Sequence, residues 1–296
     1  MIMTEPVSRI VTHPGGAHKD EFLACCLELV FSPVEICRRE PSREDLDDPA
    51  VCVLDVGGEH DPARRNFDHH QFERDHPPVC ALSLLLQAHG LYEDALSFCE
   101  WLETTEWLDA RGPVATADYL GIGREVLSKL NSTIDLTLLR RFSQVPAVRP
   151  GEPLWEVMRW IGSDLVAYLT CLRDRLGALS ETVEFWELET SEGERFEAVF
   201  LPRTESMPTD PSFGIERFVV EQGAQDRILA LVYPDRRGEG YGMSRFRDTA
   251  LLNFAPLERE TDVHFAHKQG FVAKTTSTDP ERLRELLLLA RGFARG

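Results

Sequence analysis

Residues 51–72 read Val51-Cys-Val-Leu-Asp55-Val-Gly-Gly-Glu-His-Asp-Pro-Ala-Arg-Arg-Asn-Phe-Asp68-His69-His70-Gln-Phe72, and the rest of the chain can be read as supporting this run. Val51 to Leu54 is short, apolar and β-branched, and it is closed by Asp55 and a Gly57-Gly58 turn. That is the pattern of a buried parallel strand running out to its carboxyl end. Asp55 then falls on the sheet rim, where ligands and catalytic groups of open α/β sheets gather. Thirteen residues on, Asp68-His69-His70 places a carboxylate and two imidazoles in consecutive positions. No single face of a helix or strand holds three consecutive side chains, but a loop can aim them at one centre.

Upstream, residues 7–12 form a first strand, and His13-Pro-Gly-Gly-Ala-His18-Lys-Asp20-Glu21 follows as a glycine-bearing loop. A helix then starts, with Phe22, Leu23, Cys26, Leu27 and Val30 at helical spacing. His13, His18 and Asp20 can all point at the space facing Asp55. Residues 34–37 read as a second short strand, and the acidic run 44–48 as a turn or short exposed helix presenting a solvated face. Downstream, helices are expected over 79–87, 92–108, 124–131, 136–142 and 154–176, the Gly112-Pro113 pair being a firm stop for the second. Phe98, Trp101 and Trp107 fit a core better than a base-stacking platform.

From about residue 182 the texture changes. Two hairpins (183–190 with 195–201, and 227–233 with 241–246), a helix or strand over 215–222, a strand over 263–266 and a helix over 280–291 point to an antiparallel or mixed sheet. The fold class is therefore α/β, with an α-rich N-terminal lobe over residues 1–178 and a smaller α+β C-terminal lobe with a mixed sheet over 182–296. The active-site cleft is expected between them.

Composition narrows the function. A net charge of −18 in 296 residues repels long polyphosphates unless bound metal or an arginine patch inverts the field locally, which argues against duplex DNA as partner. The seven cysteines are odd in number, lack a C-x-x-C spacing and lie in a chain too large to need staples, so a reduced, cytoplasmic setting is expected with the thiols as small buried hydrophobes. No stretch has the pattern of a signal peptide or the length of a membrane span.

The chemistry lies in seven residues within 58 positions: His13, His18, Asp20, Asp55, Asp68, His69 and His70. An acidic helix end at Glu103, Glu106 and Asp109 adds to them. Mixed carboxylates and imidazoles from several strand ends suit a pair of divalent cations sharing a bridging carboxylate, which activates a water and screens a phosphoryl group. Oxygen and nitrogen donors without thiolate favour Mn, Mg, Fe or Zn, with Mn the best single choice.

Three motifs also carry a resemblance. Thr12-His13-Pro-Gly-Gly-Ala-His18-Lys-Asp20-Glu21, Asp55-Val-Gly-Gly-Glu-His-Asp61-Pro62 and Phe67-Asp68-His69-His70-Gln71 are similar to the MYG1 family (UPF0160), a branch of the DHH phosphoesterase superfamily. Further on, Val263-His-Phe-Ala-His267-Lys-Gln-Gly270-Phe271 resembles the family's His-x-x-Gly-Phe element. The resemblance implies a parallel-sheet N-terminal lobe with a two-metal site. In it His13 and His18 bind one cation, Asp20 and His69 the other, and Asp55 bridges them. Asp68 orients His69, His70 faces the phosphate, and Asp109 fills the fourth motif, with Glu103 and Glu106 as alternatives. His18 stands where the superfamily usually has an Asp, a departure shared with the MYG1 branch.

The resemblance further implies a 3′-to-5′ exonuclease or phosphodiesterase acting on short single-stranded RNA or small nucleotides. His267 and Gly270, set in that element, would contact the substrate; Arg245, on the strand that ends near Phe246, is a further candidate contact or equally a surface residue, and a homodimer is one allowed assembly. The same ligand set also suits a non-catalytic metal- and nucleotide-binding protein, or a metal-dependent hydrolase of protein or amide bonds.

Overall fold

The computed structural model describes residues 6–130, 132–205 and 208–294. The chain divides into two compact units, Met1–Thr170 and Cys171–Gly296.

The first unit holds β1 (Arg9–Thr12), α1 (Lys19–Phe31), β2 (Ile36–Arg38), α2 (Arg43–Asp47), β3 (Val51–Leu54), β4 (His60–Asp61) and β5 (Asn66–Phe67). There follow α3 (Ala81–Ala88), α4 (Tyr92–Phe98), α5 (Glu100–Leu120), α6 (Arg124–Lys129), α7 (Thr133–Ser143), β6 (Ala147–Val148) and the start of α8 (Pro153–Thr182). The sheet order is β4-β5-β3-β1-β2-β6. Its centre, β5-β3-β1-β2, is parallel, and β4 and β6 close the two edges antiparallel, so the sheet is mixed rather than purely parallel.

Both faces of the parallel centre are buried, which is why β1 and β3 read as nearly continuous apolar runs. Ile10, Ile36, Cys52 and Leu54 pack with Phe22 and Leu27 of α1 and Leu82 and Leu85 of α3, while Val11, Val51 and Val53 pack with Leu46 of α2 and with Val56. The long α8 lies close on α1 because position 162 is glycine: a Cβ there would run into the carbonyl of Cys26.

Several expectations need revision. The acidic run at 44–48 takes the short helix of the two readings, but not as a wholly solvated face. It forms the capped helix α2, whose Asp45 is buried and takes two hydrogen bonds from Arg39, at 2.7 and 2.9 Å. Gly112 does break the helical backbone, at φ 77°, yet Pro113 at once starts a new helical run, so α5 continues across a kink to Leu120. The expected end of a helix at Asn131 lies outside the described residues. Trp107 stacks on Tyr119 at 4.2 Å, whereas Phe98 and Trp101 pack on the core as expected.

The second unit takes the end of α8 and then β7 (Glu184–Glu189), β8 (Arg195–Phe200), α9 (Ile215–Glu221), β9 (Ile228–Pro234), β10 (Tyr241–Arg245), β11 (Val263–Ala266), β12 (Val272–Thr275) and α10 (Pro280–Phe293). Its sheet order is β11-β12-β10-β9-β8-β7, with β8 and β9 parallel and the other pairs antiparallel. Residues Leu283, Leu286, Leu287 and Ala290 of α10 pack with Trp186, Phe196, Ala198, Val232 and Met243 of the sheet. All seven cysteines are free, five of them buried. Among the described residues no helix is long and apolar enough to cross a membrane.

Candidate metal centre

Parallel strands end on one rim, and the chain leaves β1 and β3 there. His13 follows β1 directly, and His18 is the N-cap of α1, whose first turn supplies Asp20 and Glu21, both buried. Carboxylates in a first helical turn are favoured by the free N–H groups and the helix dipole. Asp55 follows β3 in a left-handed conformation, φ 59°, which Asp tolerates better than most side chains. Gly57, at φ 99°, completes the turn, since a Cβ there would lie 2.9 Å from Leu46 Cδ2. The loop then returns through β5 to Asp68, His69 and His70. Asp109 arrives from α5, three residues before the Gly112 kink.

These side chains converge. His69 Nε2 lies 2.7 Å from Asp109 Oδ2 and 3.2 Å from Asp55 Oδ1. His13 Nε2 lies 3.4 Å from Asp55 Oδ2 and touches Glu21 Oε2. His18 Nδ1 is 3.7 Å from Asp109 Oδ1. Two sets of four ligand atoms form, His13/His18/Glu21/Asp55 and Asp20/Asp55/His69/Asp109, each with all its atoms within 4.8 Å of one another. Asp55 alone belongs to both, and it also groups with His69 and His70.

Three of the alternatives separate clearly. Glu106 is buried but committed: it accepts from Ser83 Oγ at 2.5 Å and Tyr92 OH at 3.0 Å. Glu103 accepts from Tyr119 OH on the exposed side of α5. Only Asp109 of the three reaches the cluster. Asp68 meets His70, not His69, so the expected orientation of His69 by Asp68 is replaced by a different pairing. Burial alone would raise Asp68, but the backbone N–H groups of His70 and Gly58 and the His70 ring outweigh it and hold the carboxyl below its ordinary range.

Sequence reasoning misses Glu21 as a donor because its neighbour Asp20 already accounts for the motif. Its first oxygen takes a hydrogen bond from the buried Arg38 at 3.0 Å, and the second is left facing His13. Arg38 also donates to the carbonyls of Gly15, Gly16 and Phe142, at 3.2, 3.2 and 3.0 Å, which fastens the loop between His13 and His18. No spacing rule links Arg38 to that loop; only the pairing of β2 beside β1 brings them together.

The electrostatics of the cluster favour a cation. Both oxygens of Asp20, both of Asp55, Glu21 Oε2 and Asp109 Oδ2 are buried with no donor beyond the histidine rings beside them. Buried carboxylates in that state are costly unless neutralised or metal-bound. Burial and the charges of Asp55 and Asp109 push Asp20 well above the ordinary carboxylate range. Burial likewise lifts Glu21 to about 8 against the pull of Arg38. For His69 burial acts downward, but the carboxylates of Asp109 and Asp55 prevail and carry it to about 10. The donor set and its unpartnered oxygens thus fit divalent cations.

In the second unit, Arg245, His267 and Gly270 also come together. A Cβ on Gly270 would lie 2.8 Å from Arg245 Nη2 and would strike Asn253 Oδ1. The His267 ring stacks on Phe271 at 5.0 Å, and the Arg245 guanidinium lies 5.5 Å from the centre of the same phenyl ring. Arg245 pairs with Asp248 at 3.3 Å, while its Nε is buried without a partner.

Fold and site together define an α/β protein with a rim cluster of carboxylates and imidazoles of metal-binding kind. Residues 9–79 match the model of the uncharacterised protein family UPF0160, MYG1_exonuc. The family likeness read from the three motifs holds over this segment, which contains every member of the cluster except Asp109. The MYG1 exonuclease of Bos taurus is 46% identical over 69 residues, which cover 21% of this chain and 17% of that protein. The MYG1 exonuclease of Mus musculus is 29% identical over 188 residues, covering 59% of this chain and 42% of that protein. The chain thus spans less than half the length of these relatives. Among solved structures, a pGpG-specific phosphodiesterase from Vibrio pairs with 98% of this chain and all of its own, at 12% identity and a TM-score of 0.33. So loose a likeness carries neither fold nor chemistry.

Proposed function

We propose that this protein is a metal-dependent phosphodiesterase of the DHH type, cutting short single-stranded RNA or small nucleotides with two divalent cations, Mn for preference. The observation that carries the reading is that two four-residue ligand sets share Asp55 and no other residue. A carboxylate common to two such sets is what a bridged pair requires. In this reading His13, His18 and Glu21 hold one cation, and Asp20, His69 and Asp109 hold the other. When bound, the cations supply an activated water and screen the phosphoryl charge.

The remaining roles fall to the protein's own groups. Asp68 fixes the His70 ring through Nδ1 at 2.7 Å, which leaves Nε2 to face the phosphate. Arg38 holds the His13–His18 loop in register with the rim. Arg245, His267 and Gly270 contact the substrate away from the scissile phosphate. The name of the relatives, MYG1 exonuclease, supports a nucleic-acid substrate.

The test is metal content together with turnover of bis-p-nitrophenyl phosphate and of short RNA. The expected result is Mn-dependent cleavage of both, abolished by chelation. Bound metal without turnover of either would instead make the protein a metal- and nucleotide-binding one.

A further inference from the structure

Two hollows open on either side of Asp109. One, of about 150 Å³, is lined by His69, His70, Phe72, His76, Asp109 and Arg111 among others. The other, of about 310 Å³, is lined by His18, Lys19, Asp20, Leu108, Asp109 and Leu139 among others. The smaller is the more specifically built. The rings of Phe72 and His76 stack with centres 4.4 Å apart and planes 20° apart. Arg111 is tied to the wall by donating to the carbonyls of His76 and Ala110. The kink at Gly112 directly follows Arg111.

Those two bonds use part of a guanidinium that carries five N–H groups. No carboxylate pairs with Arg111 among the described residues, in a chain of net charge −18 where Arg39, Arg43 and Arg64 of the same unit are each paired with acids. A cavity of about 150 Å³ is the size that accepts one benzene-like ring, and it is too small for a dinucleotide. Aromatic faces bind bases of any sequence by stacking, and a fixed arginine fork bonds acceptors on a base edge.

We propose that this hollow seats one nucleobase, that of the nucleotide next to the scissile phosphate, stacked against Phe72 and His76 with Arg111 bonded to its edge. The assignment rests on the phosphodiesterase reading for its position next to a phosphate. It makes Phe72, His76 and Arg111 specificity residues, selecting nucleotides over other phosphodiesters.

The experiment is calorimetric binding of AMP and of ribose 5-phosphate in Ca²⁺, to the wild type, Phe72→Ala, Phe72→Leu and His76→Ala. Metal content and melting temperature are checked for each. The wild type is expected to bind AMP about 10-fold or more tighter than ribose 5-phosphate, the advantage stacking a base confers. That ratio should fall to about 3-fold or less in Phe72→Leu and in His76→Ala, with metal content unchanged. If Phe72→Ala does not fold, the exposed His76 and the volume-conserving Leu carry the test. A wild type without preference for AMP, or an undiminished preference in both variants, overturns the proposal. Base-dependent binding by a protein that cleaves no phosphodiester would leave the hollow standing and refute the proposed activity; cleavage without base-dependent binding would do the reverse.

Discussion

Asp68 Oδ1 lies 2.7 Å from Nδ1 of His70 and also accepts the backbone N–H of His70 at 3.0 Å, so this carboxylate steers the second imidazole of the Asp-His-His run. The first imidazole, His69, looks instead toward Asp55 and Asp109. The two histidines therefore part company in function. Asp68→Asn should lower turnover about 10- to 100-fold, the usual cost of losing a partner that orients a reacting side chain, with metal still bound. His70→Ala should do likewise, whereas His69→Ala should also reduce metal occupancy. Elemental analysis of the three variants decides it; equal metal loss in His69→Ala and His70→Ala would contradict the assignment.

Cation binding should release protons. With Glu21 raised to about 8 and His69 to about 10, both carry protons at neutral pH in the metal-free protein, and the buried Asp20 is shifted in the same direction. A cation needs them deprotonated, so affinity should climb as pH rises from 7 toward 10 and fall below 7. Calorimetric titration with Mn²⁺ at pH 7 in two buffers of different ionisation enthalpy reads the proton count. Heats independent of the buffer would refute these protonation states.

Arg38 is the keystone of the rim behind His13. Its guanidinium pairs with buried Glu21 and rests 4.4 Å from the centre of the Phe142 ring. Arg38→Met takes the donor from the buried Glu21 carboxyl and from three carbonyls, which should cost about 3 to 5 kcal/mol in denaturant unfolding, at about 1 to 3 kcal/mol for each buried group left unsatisfied. Adding Glu21→Gln should recover part of that loss. A loss under about 1 kcal/mol for the single variant would show that Arg38 is not part of the scaffold.

The strand carrying Asp55 is legible because four consecutive apolar residues before Asp and Gly-Gly admit few other readings, and the hairpins of the second unit are legible from alternation and turn residues. What escapes is set by tertiary packing. Glu21 looks like an ordinary first-turn carboxylate until Arg38, on a neighbouring strand, takes one of its oxygens. The two-residue strands β4 and β5 are too short for any periodicity to reveal. The Gly112-Pro113 pair signals a break in either case; that α5 resumes beyond it depends on Pro113 serving as the first residue of a new helical run. The choice of Asp109 over Glu106 turns on Ser83 and Tyr92, which are distant in sequence but sit beside Glu106 in the core.

In the second unit, His267 is expected to contact substrate and no metal. His267→Ala should raise KM or lower turnover on short RNA while metal content stays at the wild-type value. Because the chain's charge gives it no general attraction for polyphosphate, dinucleotides to short oligomers should be cut about as well as long RNA. A length series of 5′-labelled RNA, with wild type and His267→Ala, reads both effects. No effect of the substitution at any length would return this patch to a structural role.

The bridge at Asp55 is the feature on which the two-cation site depends, and metal stoichiometry tests it most directly. Wild-type protein loaded with Mn²⁺ and desalted should carry about two ions per chain. Asp55→Asn, which keeps the shape of the side chain and removes its charge, should carry at most one while its circular dichroism and melting remain those of a folded protein. Two ions retained by a folded Asp55→Asn would contradict the bridge.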